Sequence, residues 1–385
     1  MDYYCSAKFT ELQINVQSRL LYNCCKAYPE RISVEWMEAN PGRLFHTDTM
    51  LEDRALMLDN KPCASCHHGC YKYELQGLQS KRLLTKNKQQ ISNPDAPLKT
   101  LQIILSTDCN LACIYCTPQL SSTWANEIEK HGSYTLNGQS IENDSWTTLW
   151  SRMKQKSRST ESKFFDLVLN EIHLAKELNY ISFLGGEPLL NNQLIQSMDH
   201  VSDKTISITT GLGVSDTRLK SILEKVKGKK IKFNISAEST GKYFEFIRYG
   251  LRWSDLQNRI EMISKAGHEV KLLSVLSNLS LLDIHNFYKI YNERYPIEIQ
   301  YLAGRNFLLP HVMDDKSKKA CRENLAPLED LAIPLLNSIK EDPTDHDRNN
   351  LASYLTQLAS RRKLPIDFLP KHFLDWAGID TTKIS

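Results

Sequence analysis

The sequence predicts an α/β fold in which parallel strands alternate with helices. Three observations carry this. Six short apolar runs with the length and composition of buried strands recur after about residue 98. Segments with apolar residues at helical spacing separate them. The 385 residues, 41% hydrophobic and 24% charged, suffice for a barrel-sized core of about 200–250 residues plus an appendage.

Residues 1 to about 90 are irregular in pattern and rich in cysteine. The stretch Ser92-Asn93-Pro94-Asp95-Ala96-Pro97 breaks the chain, because its two prolines resist regular structure. Leu101–Leu105 then reads as a strand. Phe164, Val168, Ile172, Ala175 and Leu178 mark a helix, and Tyr180–Leu184 a second strand. Thr205–Thr209 is the third strand. A helix over Arg218–Lys227 turns Ile222, Leu223 and Val226 inward, and Ile231–Ile235 is the fourth strand. Val270–Leu276 and Ile297–Leu302 complete the six, separated by a helix near Asp283–Tyr295. Such alternation implies right-handed crossovers between parallel strands. It fits an open doubly wound sheet as well as a barrel or partial barrel. Residues 130–162 interrupt the rhythm with a polar insertion carrying Trp146 and Trp150, read either as a cover over the ligand-binding end of the strands or as a surface loop. From about residue 315 the chain is helical and ends in an aromatic segment, Phe368–Trp376.

A formal charge of +3 gives no sign of a nucleic-acid or membrane partner. No window approaches eighteen uninterrupted apolar residues. The start, Met-Asp-Tyr-Tyr-Cys, lacks a basic stretch followed by an apolar run, so cytoplasmic residence is expected. Thiols stay reduced there, which disfavours a disulfide framework for the ten cysteines and favours metal or cluster ligation.

Cys109-Asn110-Leu111-Ala112-Cys113-Ile114-Tyr115-Cys116 directly follows the first strand. Spacings of three and then two residues let one tight loop deliver three thiolates to a compact site. Iron–sulfur clusters usually take four cysteines. With no fourth one nearby, one iron is left open for an exogenous chelate such as the amino and carboxylate groups of an amino acid. Zinc is the alternative that spacing leaves standing. A loop at the carboxyl end of a parallel strand is where α/β folds place their chemistry.

At these residues the sequence resembles the radical S-adenosylmethionine superfamily, whose hallmark is a CxxxCxxC loop with an aromatic residue before the last cysteine, here Tyr115. The resemblance implies a 4Fe-4S cluster on Cys109, Cys113 and Cys116, with S-adenosylmethionine chelating the open iron. One electron then cleaves the sulfonium to a 5′-deoxyadenosyl radical that abstracts hydrogen from substrate. Gly185-Gly186-Glu187, ending the second strand, matches the family element that holds the cofactor's amino group. Ser236, with Glu238 as second choice, matches the residue reaching the ribose. Arg248 matches an arginine that pairs with the cofactor's carboxylate. Thr209 stands where relatives read Thr-Asn-Gly, but this chain has Thr209-Thr210-Gly211.

The upstream region looks like that of twitch-type (SPASM-related) members, in which a cysteine, a Cys-Cys pair and a CxxC precede Glu-x-x-Gly-x-x-Ser-x-Arg. Here the tail reads Glu74, Gly77, Ser80 and Arg82. That likeness implies an auxiliary iron–sulfur cluster on Cys5, Cys24, Cys63 and Cys66, with Cys25 and Cys70 as competing ligands and a structural zinc as the alternative occupant. His67 and His68 read as loop histidines, and Cys321 as a packing cysteine.

The resemblance therefore implies a TIM-like partial (β/α)6 barrel over 98–310, a cysteine-rich module over 1–92 and a helical extension over 311–385. The implied enzyme modifies an unidentified substrate, with a peptide or protein favoured over a small molecule or nucleotide. It draws electrons from a reductant such as flavodoxin or ferredoxin. A non-catalytic iron–sulfur or zinc protein is the reading from a different class.

Overall fold

The computed structural model describes residues 2–75, 80–85, 91–141, 158–201, 203–302 and 305–383. Trp146, Trp150 and Gly77 lie outside the described residues. Two compact units divide the chain, each discontinuous in sequence. One holds residues 1–107, 152–209 and 222–232, and the other holds 108–151, 210–221 and 233–385.

The first unit is built on strands β1 (Glu11–Asn15), β2 (Leu20–Tyr22), β3 (Glu30–Arg31) and β4 (Thr100–Ile104). Three short strands of the second unit follow in the chain, β5 (Ala112–Cys113), β6 (Tyr134–Leu136) and its hairpin partner β7 (Gln139–Ile141). Strands β8 (Tyr180–Leu184) and β9 (Thr205–Thr210) then complete the first unit's run, which is ordered β9-β8-β4-β1-β2-β3. The pairs β1/β4, β4/β8 and β8/β9 are parallel, with Leu101 opposite Ile181 and Ile181 opposite Ile206. Leu101, Ile103, Ile181, Phe183, Ile206 and Ile208 are all buried, and the registers place them on one face of the sheet. The helix Arg158–Leu174 buries Phe164, Phe165, Val168 and Ile172.

The second unit contains β10 (Ile231–Ser236) from Phe233 on, β11 (Arg248–Tyr249), β12 (Glu269–Leu276) and β13 (Ile297–Tyr301). Strands β12 and β13 are parallel, with Leu272 opposite Ile297. The alternating burial of β12 places Val270, Leu272, Ser274 and Leu276 inside. Helix Trp253–Lys265 covers this face through Leu256, Ile260 and Ile263. The long C-terminal helix Asp345–Arg362 has clear end signals. Thr344 caps it by accepting from the amide of Asp347, acidic residues fill its first turn, and arginines fill its last.

The fold class is thus the expected one: α/β, of the partial (β/α)6 type, with helices at the C-terminal end. All six expected strands are present, each ending within a residue or two of its expected bounds. The insertion after residue 130 carries the β6–β7 hairpin. The N-terminal region holds three strands that its patterning did not announce, and β1 pairs in parallel with β4 along five residues. Among the described residues no helix is long and apolar enough to cross a membrane.

Candidate active site

The cysteine loop lies in the second unit and is fixed by its own backbone. Strand β5 within it pairs antiparallel with β11, which sets Cys113 opposite Arg248 and Ala112 opposite Tyr249. The amide of Ile114 donates to the carbonyl of Ile247 at 2.9 Å, and that of Cys116 to the carbonyl of Cys113 at 2.9 Å. Gly250 adopts φ +109°, and a Cβ there would stand 2.6 Å from the carbonyl oxygen of Asn110. Only glycine lets the 248–250 turn lie against the loop in this way.

Side chains hold most of the remaining loop carbonyls. Ser122 Oγ (3.0 Å) and Thr123 Oγ1 (2.6 Å) donate to Cys109 O, and Ser121 Oγ donates to Leu111 O at 2.7 Å. Trp124 Nε1 donates to Cys113 O at 2.7 Å. The same Ser121 caps the helix Ser122–His131, so the loop leads straight into a helix N-terminus.

Behind the thiols sits a buried ion pair. Arg248 Nη2 donates to Glu238 Oε2 at 2.7 Å and its Nε to Oε1 at 3.1 Å, while Arg248 Nη1 lies 3.7 Å from Cys113 Sγ. Tyr115 Oη donates to Glu238 Oε1 at 3.0 Å. Glu238 is completely buried and Arg248 nearly so. Burial opposes the charge on Arg248, yet Glu238 holds the guanidinium above its ordinary value. Burial likewise pushes up the thiol of Cys113, against the pull of Arg248, and that of Cys116 up to about 12. Glu238 and Arg248, expected to contact the ribose and the carboxylate separately, therefore bind one another. Ser236 closes β10 half-buried.

Gly185, Gly186 and Glu187 lie in the first unit at the end of β8. Gly185 has φ +152°, and a Cβ there would meet the carbonyl oxygen of Ser106 at 2.7 Å. The amide of Gly186 donates to that carbonyl at 2.9 Å. Glu187 is buried, and its Oε1 accepts from the amide of Leu189 at 3.2 Å. Thr209 is half-buried on β9, and its neighbour Thr210 turns its hydroxyl to the amide of Leu212 at 2.8 Å.

The N-terminal cysteines gather in the first unit. Cys5, Cys24, Cys63, Cys66 and Cys70 share one buried apolar cluster with Tyr4, Phe9, Met57 and Tyr71, while Cys25 is exposed. A hydrogen bond between Cys63 and Cys66 lowers the first thiol, to about 6, and raises the second. The fully buried Lys8 ammonium stands between Asp53 Oδ2 and Ser65 Oγ, each at 2.5 Å, and further lowers Cys63. Glu74 and Ser80 hydrogen-bond each other, and Arg82 donates to both carboxylate oxygens of Glu74. Cys321 is buried, with its Sγ 3.6 Å from the carbonyl of Leu281.

These donor sets suit clusters. Thiols ligate as thiolates, and the cation beside Cys113 and the one beside Cys63 favour that form. Among the described residues no group of three His, Cys, Asp or Glu side chains is placed to hold a metal ion.

Sequence reasoning missed Arg305, Tyr354 and Arg362. Their donors reach the loop carbonyls of Cys116 (2.6 Å), Ile114 (2.5 Å) and Ala112 (2.7 Å). Each lies 189 to 250 residues from its acceptor, so no local signal marks it.

A parallel α/β fold with a three-cysteine loop after its first core strand defines the class, and residues 103–289 match the family model of the Radical SAM superfamily. These residues, just under half of the chain, carry a Radical SAM superfamily domain. Among solved structures it is similar to native anSMEcpe with bound AdoMet, at 17% identity and a TM-score of 0.38, over 62% of each chain. The match thus spans about three-fifths of the anSMEcpe chain. It is also similar to Streptococcus suis SuiB, at 15% identity and a TM-score of 0.39, over 84% of this chain and 68% of that one. The same protein bound to the precursor peptide SuiA matches over 92% and 70%, at 14% identity and a TM-score of 0.33. No curated protein matches the sequence significantly.

Proposed function

We propose that this chain binds a 4Fe-4S cluster through Cys109, Cys113 and Cys116, cleaves S-adenosylmethionine reductively there, and modifies a peptide or protein. The observation that carries the proposal is the cysteine loop itself. It lies within the matched family region, is fixed at nearly every carbonyl, and has a buried guanidinium at Cys113. When bound, the cluster and its cofactor supply a 5′-deoxyadenosyl radical for hydrogen abstraction.

In this reading the chain's residues bind and orient. Gly185 and Gly186 bring backbone close to the methionyl amine, and Glu187 supplies its counter-charge. Arg248 keeps Nε and Nη2 on Glu238 and offers Nη1 to the methionyl carboxylate. Ser236 serves the ribose, and Thr209, on β9, is a further candidate contact. Glu238 acts mainly by anchoring Arg248 and Tyr115.

An auxiliary cluster is assigned to Cys5, Cys24, Cys63 and Cys66, all within one buried group. The peptide preference rests on the likeness of this module to twitch-type proteins. A cytoplasmic one-electron donor of the flavodoxin or ferredoxin kind completes the scheme. The test is anaerobic incubation of reconstituted protein with S-adenosylmethionine and dithionite. 5′-Deoxyadenosine is expected from the wild type and is lost in Cys113→Ala. A fully reconstituted protein that makes none would overturn the proposal.

A further inference from the structure

We propose that the chain beyond β13 is part of the cluster site: Arg305, just after that strand, and Tyr354 and Arg362, in the C-terminal extension, are positioning residues that fix the cysteine loop and so aim its thiols. The inference rests on the cluster assignment above and extends it to residues outside the matched region 103–289.

Geometry carries the argument. A carbonyl and the following amide share one rigid plane, so fixing the oxygen fixes the direction in which the chain enters the next residue. Arg362 Nη1 holds the carbonyl of Ala112, the plane that enters Cys113. Tyr354 Oη holds the carbonyl of Ile114, the plane that enters Tyr115. Arg305 Nη2 holds the carbonyl of Cys116, the plane that leaves the last cysteine. The three restraints thus bracket Cys113, Tyr115 and Cys116.

The donors are themselves held firmly. Arg362 pairs with Glu127 at 2.8 Å, and its guanidinium lies 4.7 Å from the ring centre of Trp124 and 4.9 Å from that of Tyr249. Arg305 lies 5.1 Å from the ring centres of both Trp124 and Tyr354. Trp124 in turn donates to Cys113 O, so the stack closes on the loop from the same set of residues. Burying Arg362 to this degree is costly unless its donors are occupied, and all three of its nitrogens are taken, Nε and Nη2 by Glu127 and Nη1 by the loop. The two guanidinium groups also place positive charge beside the loop, which favours the more reduced and more negative form of anything ligated there.

The test compares Tyr354→Phe and Arg305→Gln with the wild type after anaerobic reconstitution. Tyr288→Phe is the control, since the hydroxyl of Tyr288 is buried and, among the described residues, has no hydrogen-bond partner. The measurements are iron release to a chelator, the electron paramagnetic resonance signal of the reduced cluster that responds to S-adenosylmethionine, and its midpoint potential. Tyr354→Phe is expected to lose that cluster about five- to tenfold faster, as the loss of one buried hydrogen bond implies. Arg305→Gln is expected to move its potential to a more negative value, and Tyr288→Phe to change neither. Arg305 is only part-buried, so its variant decides the matter should Tyr354→Phe fail to fold. Wild-type release rate, signal and potential in both variants overturn the clamp and leave the enzyme assignment standing. Absence of a cofactor-responsive cluster from the wild type overturns the assignment and the clamp together.

Discussion

At the scale of single residues, the pair Glu238–Arg248 decides how the site is held together. The sequence offers both as candidate cofactor contacts, because each stands at a recognisable place after the fourth core strand. Their mutual contact was not legible. It forms only when β11 pairs with β5 and brings Arg248 back against the end of β10. With Glu238 completely buried, the carboxylate is the partner that makes a guanidinium tolerable there. Glu238→Gln keeps the shape and removes the charge, leaving Arg248 and the hydroxyl of Tyr115 with a weaker acceptor. The expected loss is about 3–5 kcal/mol in denaturant unfolding, the cost of stranding a buried charge. Glu238→Leu combined with Arg248→Met removes both charges and is expected to recover most of that loss. A double variant as unstable as Glu238→Gln would show that the pair contributes by packing rather than by charge.

At the scale of elements, the core strands were legible because each is a short apolar run bounded by turn residues. Strand β1 was not. Its buried residues, Leu12 and Ile14, alternate with Glu11, Gln13 and Asn15, a period-two pattern only five residues long. Its parallel partner β4 lies about ninety residues on, so no local signal marks that pairing. The consequence is physical: the segment carrying Cys5 and Cys24 is stitched to the first core strand, with Leu12 opposite Leu101. Leu12 is buried, and Leu12→Ala is expected to cost about 2–5 kcal/mol. If the cysteine-rich segment and the first core strands unfold as one unit, Leu12→Ala and Ile181→Ala lower the same thermal transition. A separate, smaller transition shifted by Leu12→Ala alone would mean that the N-terminal residues fold independently.

At the scale of the whole molecule, the sequence marked the three-cysteine loop plainly, because spacing alone brings its thiols into one loop. The N-terminal cysteines carried no such guarantee, with six candidates for about four positions. Burial now separates them. Cys5, Cys24, Cys63, Cys66 and Cys70 share one apolar cluster, whereas Cys25 is exposed beside Lys81. An iron–sulfur cluster is best held by thiolates shielded from water, and on that ground the proposed ligands are drawn from the buried five rather than from the exposed Cys25. Anaerobic reconstitution of the wild type is therefore expected to give about eight irons and eight sulfides per chain. The Cys109/Cys113/Cys116 triple alanine variant is expected to keep about four, and Cys63→Ser also about four, each having lost a different cluster. Cys25→Ser is expected to keep all of them. Cys70→Ser distinguishes the remaining choice: full iron retains Cys24 as the fourth ligand, and a loss of about four puts Cys70 in its place. About four irons in the wild type, falling to none in the triple variant, would leave the radical enzyme intact and assign the N-terminal thiols to zinc or to packing. Zinc without iron in every variant would sink the cluster assignment altogether, since a closed tetrahedral zinc site offers no open position for an incoming amino acid.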